Sequence, residues 1–357
     1  MTEETLTGIK KILQTGVQYH ASDIYISTGS KPILRVNGDI YPIDEHPILD
    51  KTTAENYLLE VMDQNLKEKF QKNSDLDFSI NVDGIARFRV NIFVQSKGIS
   101  GVFRVIPGIP LTLDELHLPE QLKELTRLRS GLVLITGPTG CGKSSTLAAL
   151  LHEINQTQKK HILTIEDPIE FIHTQGQSVI EQREVGPHTV SFERALRAAL
   201  REDPDVILVG EMRDLETISL AITAAETGHL VFSTLHTSGA TKSIDRMIDV
   251  FPSGQQPQIR AQLAETLEAI VWQQLLPSQN ETVRGTKRVA AIEILRANHA
   301  VKNMIRKGAT HQLNSVIETG RDEGMQTMTT AIKKLADEKL ISEDTMNSYL
   351  PEMITGE

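Results

Sequence analysis

The sequence predicts an α/β fold: a core built on a parallel sheet, with a small α+β domain before it and a helical tail after it. Three observations lead there. From Gly131 onward, apolar strand-like runs alternate with helical stretches, the pattern of a parallel sheet covered on both faces. Ahead of Gly131 lie short alternating runs broken by Asn37-Gly38 and Asp83-Gly84, dipeptides that turn β-hairpins. Past Pro252 the apolar spacing is mostly helical.

Leu6, Ile9, Leu13 and Val17 recur at helical spacing, so residues 5 to 20 read as an amphipathic helix. ASDIYISTG, PILRVNGDIYPI, LDFSINVDGIARFRVNIFVQ and GISGVFRVIP follow as strands, interrupted by a helix near 51 to 71. Together these make a domain over residues 1–107. PGIPLTLDELHLP carries three prolines, so residues 108–119 read as a linker leading into a helix. Residues 120–290 then form the core, and 291–357 a C-terminal helical region. The core strands are LVLIT, HILTIED (161–167), DVILVGE (205–211) and HLVFSTLH (229–236). Ligands of such sheets bind at the carboxyl ends of the strands. Further on, IRAQLAETLEAIVWQQLL reads as one helix, KRVAAIEIL as a last strand, and 298–349 as several short helices.

Composition narrows the function. The chain has 357 residues, 39% hydrophobic and 24% charged, a globular balance with room for two or three domains. A net charge of -10 and 4% aromatic residues count against a nucleic-acid translocase, which needs a basic channel with stacking platforms. Cys141 is the one cysteine, which excludes an intramolecular disulfide and a Cys-rich zinc module. No apolar run has the length of a membrane span, and MTEETLTGIKK does not read as a signal peptide. The expected setting is cytoplasmic.

Chemistry enters between the first core strand and the helix after it. Gly137, Pro138, Thr139, Gly140, Cys141, Gly142, Lys143 and Ser144, with Ser145 behind them, fit G-x-x-x-x-G-K-[ST] at every fixed position. Glycines let the backbone N–H groups converge on phosphate. Lys143 brings a point charge to the β- and γ-phosphates, and the Ser144 hydroxyl is placed to bind Mg²⁺. The sequence therefore predicts a nucleoside triphosphate site. The strand 205–211 ends in Glu211, a carboxylate able to hold a Mg²⁺-bound water or polarise the attacking one. Glu166-Asp167 closes another strand; such acids serve metal and water positioning, or merely form turns. His229 and His236 bracket the fourth strand, where they either sense the γ-phosphate or are structural.

TIEDPIEFIH (164–173) with EQREV (181–185), RALRAALREDPDVILVGEMRDLETI (194–218) and GHLVFSTLHT (228–237) resemble the Asp box, Walker B region and His box of the secretion ATPase superfamily. SDIYISTGSKPILRVNGDI (22–40), HAVKNMIRKG (299–308) and GMQTM (324–328) make the chain similar to the pilus-retraction PilT/PilU branch. The resemblance implies a RecA-like P-loop core with a PAS-like N-terminal domain, and a homohexamer that hydrolyses ATP with Mg²⁺. The implied partners are an inner-membrane platform protein at the base of a type IV pilus and a paralogous retraction ATPase, with no nucleic acid. Carried over, Glu211 supports metal and water, Glu166 is the catalytic acid, and His229 and His236 are the His-box pair. Arg87, Arg89 and Arg104, on ARFRV and GVFRV, are the candidates to close over the nucleotide; a solvated basic face is the other reading of them. Cys141, Ser233, Lys302 and Lys307 depart from the family's usual residues. Extension and secretion motors of the superfamily carry a tetracysteine insert that one cysteine excludes.

Overall fold

Two compact units make up the computed structural model, which describes residues 8–354 apart from 37, 107 and 281–286. Leu6, Asn37 of the expected turn, and Pro107 lie outside the described residues. The first unit comprises residues up to 108 together with 170–172, and the second the remainder.

In the first unit, α1 (Gly8–Gln18) precedes β1 (Asp23–Ser27), β2 (Ile33–Val36) and β3 (Asp39–Pro42). Then come α2 (Lys51–Glu60), α3 (Gln64–Asn73), β4 (Asp75–Val82), β5 (Ala86–Gln95) and β6 (Gly98–Ile106). The strands form one antiparallel sheet in the order β3-β2-β1-β6-β5-β4. Ile9, Ile12 and Leu13 of α1 and Ala54 and Leu58 of α2 are buried with Phe88 and Phe103, whose rings meet edge to face at 6.3 Å. The single helix expected near 51–71 is two. Asp63 accepts the Leu66 N–H at 2.8 Å, and an N-cap of this kind starts a new helix rather than continuing the old one.

The second unit opens with α4 (Gln121–Leu125). It continues through β7 (Gly131–Thr136), α5 (Lys143–Thr157), β8 (His161–Glu166), β9 (Val179–Glu184), α6 (Phe192–Ala199) and β10 (Val206–Val209). After these come α7 (Leu215–Glu226), β11 (Leu230–Leu235), α8 (Ala240–Asp249), α9 (Gln256–Thr266), β12 (Leu267–Pro277) and β13 (Arg288–Arg296). The chain ends in α10 (His299–Lys307), α11 (Leu313–Thr319), α12 (Met328–Asp337) and α13 (Glu343–Ile354). Its sheet runs β13-β12-β7-β11-β10-β8-β9, parallel throughout except for β13. Alternate residues of β7 feed two cores. Leu132 and Leu134 pack with α7, α8 and α9, while Val133 and Ile135 pack with α5.

The stretch expected to be one long helix is divided. Its first half is the end of α9; from Leu267 the backbone is extended and β12 lies between β7 and β13. Ile270, Val271 and Trp272 favour a strand, and a strand buried on both faces loses the polar alternation that would have marked it. The hairpin also carries the sheet past residue 290 to Arg296. Met328, Ala331, Ile332 and Leu335 of α12 pack on Leu276, Val289 and Ala291 of that hairpin.

Candidate active site

The loop from Gly137 to Gly142 joins β7 to α5. Gly137 and Gly142 have φ of 142° and 90°, and both are crowded by β12. A Cβ on Gly137 would lie 2.3 Å from the Gln273 carbonyl oxygen, and one on Gly142 would lie 2.8 Å from Gln273 Nε2. Only glycine fits there. Helix α5 has no side-chain cap and no acidic residue in its first turn. Its leading N–H groups and positive dipole end are thus left for an external anion, a cradle that fits a phosphate chain. Ser144 and Ser145 lie in that first turn. Cys141 is buried; burial pushes its thiol up, against the opposing charge of Lys143, so it stays a neutral packing group.

Lys143 Nζ donates to the carbonyls of Gly137 at 2.9 Å and Pro138 at 3.0 Å, and lies 3.4 Å from His236 Nδ1. Thr139 Oγ1 is also 3.4 Å from that nitrogen. An ammonium only donates, so Nδ1 accepts from it when the ring is the tautomer that carries its proton on Nε2. Nε2 faces Glu211 Oε1 at 3.3 Å, and Glu211 Oε2 pairs with Arg213 at 2.7 Å. Strand register makes this chain possible. Thr136 is level with Leu235 across β7 and β11, and Ser233 with Val209 across β11 and β10. The residues just past those strand ends therefore line one edge. Burial raises the Glu211 carboxyl, but the Arg213 hydrogen bond and charge, with His236 and Lys143 behind, outweigh it and hold the group below the usual carboxylate range. Glu211 is an anion at neutral pH.

Glu166 ends β8 on the same edge, three strand spacings from β7 or about 14 Å. Its Oε1 accepts from Thr164 Oγ1 at 2.6 Å and from Gln182 Nε2 at 3.1 Å. The structure does not bring His229 to this edge. It precedes β11, at the opposite end of the sheet, where Nδ1 lies 2.9 Å from the Ala224 carbonyl and its own carbonyl accepts from Gly131 N. A six-residue strand separates it from His236. Arg89 and Arg104 are paired across β5 and β6, and alternation puts Arg87 on their face. Arg104 Nε holds Asp23 at 2.9 Å and Arg89 Nε holds Asp77 at 3.5 Å. Sequence reasoning missed Arg213, two residues beyond Glu211 in GEMRD, and Gln273, concealed by the helical reading of its segment.

The Type II/IV secretion system protein family matches residues 3–350. The chain belongs to that family. As a member it is a nucleotide-binding ATPase with a RecA-like P-loop core. A twitching motility protein of Neisseria gonorrhoeae is 50% identical over 94% of this chain and 88% of its own. The type IV pilus retraction ATPase PilT of Pseudomonas aeruginosa is 47% identical over 94% and 96%. The type IV pilus ATPase PilU of the same organism is 40% identical over 91% and 84%. A solved structure of the pilus retraction motor PilT with bound ADP superimposes with a TM-score of 0.88, at 42% identity and over 96% of both chains. Among the described residues no helix is long and apolar enough to cross a membrane.

Proposed function

We propose that the protein is the ATPase motor that retracts type IV pili and so drives twitching motility. One observation carries this reading: the Lys143–His236–Glu211 edge is intact in a chain that matches PilT over 94% of its length. PilU is the weaker match of the two. Lys143 binds the β/γ-phosphates, for which it exchanges the loop carbonyls it now contacts. Glu211, anionic and oriented by Arg213, holds the attacking water, and His236 links that carboxylate to the lysine. Glu166 is a second carboxylate on the same edge, held ready by Thr164 and Gln182.

No three acidic, His or Cys side chains converge among the described residues, so Mg²⁺ would take most of its ligands from phosphate and water. The Ser144 hydroxyl and Glu211 are the groups to complete it. Mg²⁺ bound there neutralises charge on the phosphate oxygens. Arg87, Arg89 and Arg104 supply the further cation that phosphoryl transfer uses. The working form is a homohexamer on the cytoplasmic side of the inner membrane, acting on a platform protein of the pilus machine alongside a paralogous ATPase. The test is deletion in the host, scored for surface pili and twitching. More pili with no twitching is the expected result; loss of pili would mean an extension motor instead.

A further inference from the structure

Gln273 sits midway along β12, 2% exposed, and its amide is engaged by the phosphate loop at one end and by the first turn of α5 at the other. Its Nε2 donates to the Cys141 carbonyl at 2.6 Å, and its Oε1 accepts from Thr146 Oγ1 at 2.7 Å. Its backbone carbonyl fills the space over Gly137. The first residue of the loop, its last turn and the first turn of α5 are thus all referred to one residue of the neighbouring strand.

The buried Cys141 carbonyl needs a donor, but pairing alone does not require this particular side chain. What the amide adds is direction. In a trans peptide the C=O and the following N–H point opposite ways. By holding the Cys141 carbonyl toward β12, Gln273 aims the Gly142 N–H away from β12 and into the loop's concavity. If that peptide turned over, a carbonyl oxygen would face the phosphates in place of a donor. The bond from Thr146 fixes the amide's rotation, because a carboxamide free to flip would present its oxygen to Cys141.

We propose that Gln273 is a positioning residue for the nucleotide, which sets the polarity of the phosphate loop through the Cys141–Gly142 peptide. It touches no substrate. Its loss should therefore weaken binding of ATP and ADP alike, and spare the chemical step carried by Lys143, His236 and Glu211.

Four full-length variants test this: Gln273→Met, Gln273→Glu, Thr146→Val and Thr146→Ser. Fluorescent ADP titration, KM and kcat for ATP, and thermal melting are read on each. Gln273→Met, similar in length but without donor or acceptor, should raise the ADP Kd and the ATP KM about tenfold and leave kcat within about threefold. Gln273→Glu keeps an acceptor for Thr146 but sets oxygen against the Cys141 carbonyl, and should weaken binding at least as much. Thr146→Val should cost about threefold in Kd, and Thr146→Ser should restore it, since the hydroxyl rather than the methyl sets the amide. Wild-type affinity in Gln273→Met and Gln273→Glu would overturn the proposal. So would a loss of affinity that follows the fraction unfolded in the melt, or a fall in kcat at unchanged KM. Should the Gln273 variants fail to fold, equal affinities of Thr146→Val and Thr146→Ser would overturn it by themselves. Nucleotide affinity is read directly, so failure here leaves the retraction assignment untouched.

Discussion

The strand that leads into the phosphate loop has two neighbours, and they serve the loop in opposite ways. On the β11 side stand His236 and, one strand on, Glu211 and Arg213. Their side chains are 41%, 21% and 74% exposed, and they interact by charge. On the β12 side stands Gln273, neutral, buried and bonded at both ends of its amide. The division follows from solvation. Charges are expensive to bury, and groups that meet phosphate and water must stay reachable. A loop that has to hold one shape is better fixed by a neutral amide in a dry place, where an unpaired alternative costs about 1–3 kcal/mol. Chemistry belongs to the wet flank and shape to the dry one, so the two should be separable by mutation.

The largest effect should come from the residue the flanks share. Lys143→Ala removes the loop's own cation, and phosphate release should fall below detection; near-normal turnover would place the chemistry elsewhere. Next is Glu211→Gln, which keeps shape and removes charge. Its kcat should drop by about 10²- to 10³-fold, with ATP binding changed less than about threefold. Glu166→Gln, measured beside it, should show the smaller loss, since its carboxylate lies a strand farther from the loop. A variant of Glu211 that lost binding and turnover together would break the division between flanks.

The wet flank was legible in the sequence and the dry flank was not, for a physical reason. G-x-x-x-x-G-K-[ST] and strand-end acids are local patterns, and strand ends in a parallel sheet share an edge. That logic brought Lys143, Glu211, Glu166 and His236 to one rim. It did not separate His229 from His236, although a strand's two ends lie on opposite rims. Gln273 left no local trace. Its segment is apolar on both faces, continues a good helix former, and acts on residues more than a hundred positions away, at Cys141 and Thr146. The Asp63 cap that splits α2 from α3 was readable, by contrast, from an acid three residues ahead of the N–H it receives.

Stability should also respond to acid, through a buried histidine outside both flanks. His173 is buried, and burial first, then the charge of His152, lowers it to about 4. Its backbone N–H donates to Gln182 Oε1, and Gln182 Nε2 donates to Glu166. A histidine whose folded value lies below its unfolded one of about 6.5 gives stability that is fully present above 6.5. That contribution is lost as pH falls toward about 4. The full loss is on the order of 3 kcal/mol. Urea unfolding at pH 7 and pH 4.5 should show most of it, and His173→Phe should flatten that difference. An unchanged pH dependence in the variant would move the acid sensitivity to other groups.

The finest test compares two glycines of the same loop. Gly140 and Gly142 have φ of 78° and 90°, so alanine at either meets a similar backbone strain of about 1–2 kcal/mol. Their surroundings differ. A Cβ at Gly140 meets nothing within 4 Å, whereas one at Gly142 lies 2.8 Å from Gln273 Nε2 and 3.9 Å from Leu275 Cδ1. That Nε2 cannot swing aside, because it is bonded to the Cys141 carbonyl. Gly142→Ala must therefore displace the amide, while Gly140→Ala leaves it in place. Both should weaken ADP binding, and Gly142→Ala should weaken it by about a further tenfold, or about 1.4 kcal/mol. The gap isolates the dry flank only if it depends on Gln273, so the pair is repeated in a Gln273→Ala background, as a double-mutant cycle. There the two alanines should become nearly equal. A gap that survived would assign the extra cost to strain at residue 142, and equal effects in the wild-type background would mean that β12 does not constrain the loop at all.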